Sequence, residues 1–381
     1  MRHSLLSKFQ GTILGAVLGD STGLQYQRLL AGIPPETEDL QPILQLTKHQ
    51  QLTVNGGTLA LTSGNSKTLT GKHSSAGGKL AVACAQTLIR CNGLDLKDWR
   101  DTWEAFAKSE IYDSPNTEFQ PLLNPCEVAV AVLPAAMFFH ENKAKLREKI
   151  LLATDVLPNE NKGELQTAVL AIEYAIARAL KARLDPATAI DQTITYLKTD
   201  NSLTELLVQV QILLEQGADL ETATTHLCKS ATALRQKQDG GENKSQAKSI
   251  VSPRNFIPIA LAFYCFLNTP EDWRLSVVRA ARCGIAGQIT CALTGALSGA
   301  YNGAAAIPVE WRQVFSTAAS SQLTEGREPS LWGTGSDAKI VELASNLFAV
   351  WAGVYNPSGG RDCTAVARSV AAPYVIRPRK I

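Results

Sequence analysis

KFQGTILGAVLGDSTG, residues 8–23, sets Gly11, Gly15 and Gly19 four positions apart. On an α-helix that spacing puts all three on one face. A face stripped of side chains lets a neighbouring helix come close, and the residues between the glycines are mostly apolar. A second stretch, residues 287–303, repeats the pattern with Gly295 and Gly299. Both stretches predict helices packed backbone against backbone.

The rest of the chain reads in the same way. Residues 79–91 (KLAVACAQTLIRC) carry apolar side chains at helical intervals, with Asn92-Gly93 as a stop. Trp99, Trp103 and Phe106 fall on one face of a helix expected over 96–109. Residues 127–140 are apolar nearly all round and predict a buried helix that Pro134 kinks or breaks. Further helices are expected over 162–184, 186–198, 202–216 and 219–236, the last with Asp219 as cap. Thr269-Pro270-Glu271-Asp272 reads as a helix start capped by Thr269, and 336–354 as a final helix. The polar run 237–249 (KQDGGENKSQAKS) reads as a mobile loop rather than a linker, because similar helical segments flank it. The expectation is an all-α protein in a single large domain over residues 1–381.

Composition narrows the function. A net charge of +2, spread along 381 residues, gives no electrostatic footprint for nucleic acid or an anionic membrane. No apolar stretch reaches the length of a membrane span. Eight cysteines form no C-x-x-C pair and lie mainly in apolar helical patterns. That usage argues against a zinc site or disulfide framework and fits a reducing cytoplasm. Arg2, His3 and Lys8 precede the apolar run 11–19, but that run ends in Asp20 with no small-x-small cleavage pattern, so it is not read as a signal peptide. A cytoplasmic location is expected.

The first stretch resembles the opening helix of the ADP-ribosylglycohydrolase family, which reads roughly R-x-x-G-x-x-L-G-x-A-x-G-D-A-L-G. Three further segments follow in family order. Residues 73–95 are similar to the helix after the family's Thr-Asp-Asp-Thr motif, and 126–134 to a loop and helix lining the ligand cleft. Residues 256–311 resemble the helices on either side of its Gly-Gly-Asp-Thr-Asp-Thr motif. The resemblance implies an orthogonal helical bundle, and an activity that depends on two magnesium ions held by the motif acids and threonines.

At both motifs the acids are missing. The first falls on Ser75-Ala76-Gly77-Gly78 and the second on Ala286-Gly287-Gln288-Ile289, and no Asp or Glu occurs between Asp39 and Asp95 or between Asp272 and Glu310. A further family acid falls on Gln27. Magnesium depends on carboxylate oxygens to offset its dehydration, so the family's magnesium ions are expected to be absent. Asp20, Gln27, Ser75 and Gln288 remain as candidate cleft residues, with no catalytic residue and no metal ligand assigned. Asp20 also has a purely structural reading, bonding backbone amides at the end of the glycine-striped helix.

Other patterns are weaker. Ser336-Asp337-Ala338-Lys339 spells the S-x-x-K of serine acyltransferases, but Ser336 fits better as a helix cap. Gly333-x-Gly335-x-x-Ala338 follows no strand and so is not a dinucleotide fingerprint. His73, His140 and His226 have no metal-ligand spacing. Two functional readings follow. One is a family fold that has lost dimagnesium-dependent hydrolysis and serves as a binding or regulatory protein, for an ADP-ribose-like, nucleotide or sugar ligand or a protein partner. The other is an active N- or O-glycosidic hydrolase with a metal-independent site, using Asp20 or an acid such as Asp113, Glu118 or Glu127. A scaffold with a filled cleft is a third possibility.

Overall fold

The glycine stripe sets the centre of the molecule. Helix α1 spans Leu5–Leu30, is capped by the Ser4 hydroxyl, and is buried along most of its length. In the computed structural model, which describes residues 3–32, 75–112, 123–157, 162–239, 252–313, 316 and 332–354, α1 lies antiparallel against a later glycine helix. That helix, Gly287–Asn302, carries the second stripe. The backbones touch in a ladder: a Cβ at Gly11, Gly15, Gly19 or Gly23 would run into the carbonyl of Gly299, Gly295, Cys291 or Gly287 respectively. In reverse, a Cβ at Gly295 or Gly299 would strike the Gly15 or Gly11 carbonyl. The Trp273 indole seals the seam, donating to the Gly295 carbonyl at 3.1 Å.

Around this pair the helices follow in order. They are α2 (Ala76–Arg90), α3 (Leu96–Tyr112), α4 (Pro125–Phe138), α5 (Lys143–Asp155), α6 (Lys162–Leu180), α7 (Ala189–Leu197), α8 (Ser202–Glu215) and α9 (Leu220–Asp239). Then come α10 (Ile257–Asn268), α11 (Trp273–Arg282), the glycine helix as α12, and α13 (Asp337–Trp351). No strand occurs among the described residues. One continuous cluster of buried apolar side chains links the helices, Trp99 and Trp103 included. No described helix is long and apolar enough to cross a membrane.

Most predicted helices form close to their expected limits, and three details differ. Pro134 neither ends nor interrupts α4, which runs on to Phe138 with its residues buried all round. Tertiary packing outweighs the one hydrogen bond that proline removes. The cap of α11 is Asp272, whose carboxylate accepts from the Leu275 amide at 2.9 Å, rather than Thr269. The Thr269 hydroxyl is engaged with Ser276 instead, at 3.0 Å. Finally, α9 continues through Asp239, into the run read as a loop; residues 240–249 lie outside the described residues. Ser336 does cap α13, accepting from the Lys339 amide at 3.3 Å.

Candidate functional site

Helix N-termini converge on the middle of α1. Ser75 caps α2, its hydroxyl accepting from the Gly78 amide at 3.0 Å. A Cβ at Gly77 would collide with the Glu127 carbonyl, so the starts of α2 and α4 abut. Gln288 is the second residue of α12 and donates its side-chain amide to Asp20 Oδ2 at 3.3 Å. The Gln27 side chain rests beside Gly287. All four residues singled out from sequence therefore come to one region: Asp20, Ser75 and Gln288 directly, Gln27 about two turns further along α1.

Asp20 differs from its structural reading. Helix α1 continues ten residues past it to Leu30, so Asp20 sits mid-helix and meets side chains, with Ser75 the one residue to offer a backbone group. It is 2% exposed. Burial pushes its carboxyl from the ordinary 3.8 up to about 7, opposed by Gln288, Ser75 and Trp332. Ser75 faces the carboxylate with hydroxyl and amide, yet Oδ1 has no partner at hydrogen-bonding geometry among the described residues.

Trp332 is the residue that sequence reading missed. Its indole Nε1 donates to Asp20 Oδ2 at 3.1 Å, and its ring lies so close to Gly78 that any Cβ there would enter it. The ring is buried and fills the space between α1 and the start of α2. Glycine at 78, in the vacated first motif, is thus required by the ring. Trp332 takes a left-handed φ of 57°, as does Ala286 at 42° just before α12. For non-glycine residues that conformation costs roughly 1–2 kcal/mol, so packing holds both sides of the site in place. No local signal marks Trp332: it stands 312 positions from Asp20, in a segment without periodicity.

Glu127, one of the acids considered as an alternative supplier, is held in a capping box. Its Oε2 accepts from the Asn124 amide at 3.1 Å, and the Asn124 side chain accepts from the Glu127 amide at 3.0 Å. Asp113, Glu118 and His73 lie outside the described residues. His140 bonds the Met137 carbonyl in the core, where burial lowers it to about 4.

The family's model matches residues 1–355. The chain belongs to the ADP-ribosylglycohydrolase family. A solved structure described as an ADP-ribosylglycohydrolase-related protein complex aligns over 91% of this chain and 98% of its own, with a TM-score of 0.54 at 14% identity. That likeness shows the shared all-α fold. None of the curated proteins compared with the chain matches it.

Within that family the magnesium pair makes a demand these residues do not meet. A hard dication needs several oxygen ligands, carboxylates foremost. Among the described residues, the carboxylate that meets Gln288 and Trp332 is that of Asp20, and its Oδ2 already accepts from two N–H groups, one of them an indole that can only donate, while the Glu127 carboxylate is taken up by its capping box. Ser75 is occupied as a cap, and Gly77 and Gly78 offer no side chain. Among the described residues no group of three His, Cys, Asp or Glu could hold a metal. The donor set does not fit a magnesium pair.

Proposed function

We propose that this member of the ADP-ribosylglycohydrolase family has lost dimagnesium-dependent ADP-ribosyl hydrolysis, carries no resident metal, and acts as a binding or regulatory protein. One observation carries the reading. The Trp332 ring occupies the space beside the first motif and donates to the Asp20 carboxylate. A ring in that place supplies no metal ligand and excludes the water a hydrolase must activate. The remaining polar groups, Ser75, Gln288 and Gln27, are neutral and suit recognition of a sugar or nucleotide hydroxyl better than charge stabilisation.

The test is release of ADP-ribose from an ADP-ribosylated protein with and without magnesium. The expected result is no release above a heat-inactivated control. Magnesium-dependent release overturns the reading. Binding is tested separately, by the thermal shift that ADP-ribose produces with and without magnesium; a shift independent of the metal is expected of a binding protein.

A second reading rests on the Asp20 carboxyl. With its pKa near 7, it could act as a general acid in metal-free glycoside cleavage. Its enclosure by Trp332 and Gln288 counts against this, since no substrate oxygen reaches Oδ2 unless both donors leave. Loss of measured turnover in a folded Asp20→Asn variant would favour it.

A further inference from the structure

Four cysteines gather on the helices next to the site: Cys228 on α9, Cys265 on α10, Cys283 at the C-terminus of α11 and Cys291 on α12. Two of them meet. The Cys265 and Cys283 sulfurs are 3.7 Å apart, in contact but unbonded. A disulfide needs a separation of about 2.05 Å, so a movement of about 1.7 Å would join them.

The two thiols differ in setting. Cys265 is fully enclosed, whereas Cys283 is 5% exposed and precedes Gly284, an exposed residue with φ of 67°. Cys283 is therefore the nearer of the two to the surface. Contact with the Cys265 thiol, with Thr224 and the Arg279 guanidinium, holds Cys283 below the ordinary thiol range against the opposing effect of burial. Burial pushes Cys265 and Cys291 well above that range. Arg279 is itself set against the Tyr264 ring, its guanidinium carbon 5.6 Å from the centroid. The nucleophile and the resolving thiol are thus distinguishable by access and by charge environment.

We propose that Cys265 and Cys283 form a peroxide-oxidisable dithiol that closes to an intramolecular disulfide, tying α10 to the segment that leads into α12. The Cys283 thiolate attacks one oxygen of hydrogen peroxide and breaks the O–O bond. It becomes a sulfenic acid, and the departing hydroxide leaves as water with the proton Cys283 gave up. The Cys265 sulfur then attacks the sulfenic sulfur, forming the S–S bond and releasing a second water that carries the Cys265 proton. Two thiols are oxidised, one peroxide is reduced to two waters, and a dithiol reductant reverses the change. Cys283 stands five positions before Gln288, so the bond would fix the segment that presents Gln288 to Asp20.

The test uses the full-length, pre-reduced protein exposed to hydrogen peroxide under native conditions and digested with trypsin without reduction. The expected product is peptide 255–274 joined to peptide 283–312, lighter than their sum by two hydrogens and separated by dithiothreitol. Because peptide 283–312 also contains Cys291, the link should persist in Cys291→Ser and vanish in Cys283→Ser. In Cys265→Ser a dione reagent should trap the sulfenic acid on Cys283. Absence of the link in peroxide-treated wild type overturns the proposal, and so does a link that forms only in urea or survives in Cys283→Ser. The wild-type measurement decides the matter even if a variant fails to fold.

Discussion

Trp332 and Asp20, 312 positions apart, share a hydrogen bond of 3.1 Å in the interior of the protein. The bond joins the middle of the first helix to the residues just before the last described one, and it occupies the oxygen a metal would need. Replacing Trp332 with alanine should remove both the donor and the ring. Large aromatic-to-alanine changes in cores cost about 3–5 kcal/mol, and a loss in that range is expected from urea unfolding at neutral pH. A cost below about 1 kcal/mol would show that the ring is not packed as described.

The Asp20 carboxyl should make stability fall as pH rises. The folded protein holds its proton up to about pH 7, whereas the unfolded chain releases it near the ordinary 3.8. Between those values the native state binds more protons, so the stabilisation present at low pH is lost on going up through 7. For a fully buried group the effect is on the order of 4 kcal/mol. Glu173 and Glu127, also raised by burial, act in the same direction; His140, lowered to about 4, acts in the opposite one. Comparing wild type with Asp20→Asn at each pH subtracts them. The variant should gain on wild type from pH 4 to about 7 and hold that gain above it, and parallel pH curves would refute the assignment.

Glu173 offers a cleaner case of misplaced polarity. It is fully buried on α6, neither carboxyl oxygen has a partner among the described residues, and burial raises its pKa well above normal. An unsatisfied buried polar group costs about 1–3 kcal/mol. Glu173→Met keeps the volume and removes that cost, so the urea midpoint at pH 7 should rise by a corresponding amount. A fall would indicate that the carboxyl serves an interaction of the native state.

The glycine ladder can be probed against an internal control. Gly15→Ala or Gly295→Ala forces a methyl group into the opposing carbonyl and should cost several kcal/mol or prevent folding, read by thermal denaturation. Gly163, on α6, has no described residue within 4 Å of where its Cβ would lie. Gly163→Ala should be neutral or stabilise by up to about 1 kcal/mol. Similar losses at all three positions would contradict the ladder.

Magnesium should leave the melting temperature unchanged. A ligand at a hundred times its Kd adds about 2.7 kcal/mol to a folded protein, which a thermal shift detects readily. A magnesium-specific rise, absent with matched ionic strength, would overturn the metal-free reading of the site.

How far the sequence announced all this depends on the kind of contact. The glycines of α1 and α12 were legible because backbone contact excludes every side chain at fixed spacing, and that leaves a periodic mark. The convergence of Asp20, Ser75 and Gln288 was legible through the family frame, which assigns vacated motifs to one place. Trp332 was not, since a single ring filling a gap leaves no period and its partner lies at the far end of the chain. The cap of α11 was missed for a different reason. Thr269 and Asp272 are both good caps locally, and only the bond from Thr269 to Ser276 decides between them.

The antiparallel pairing of α1 with α12 also governs how the protein can be made. Gly11 meets Gly299, so the seam cannot close until some 300 residues have left the ribosome. At roughly 5–20 residues per second that delay is about 15–60 s. Through that interval the apolar first helix has no partner for its bare face. Such dominance by distant contacts slows folding, and it leaves an apolar helix face open to aggregation until the last segments arrive.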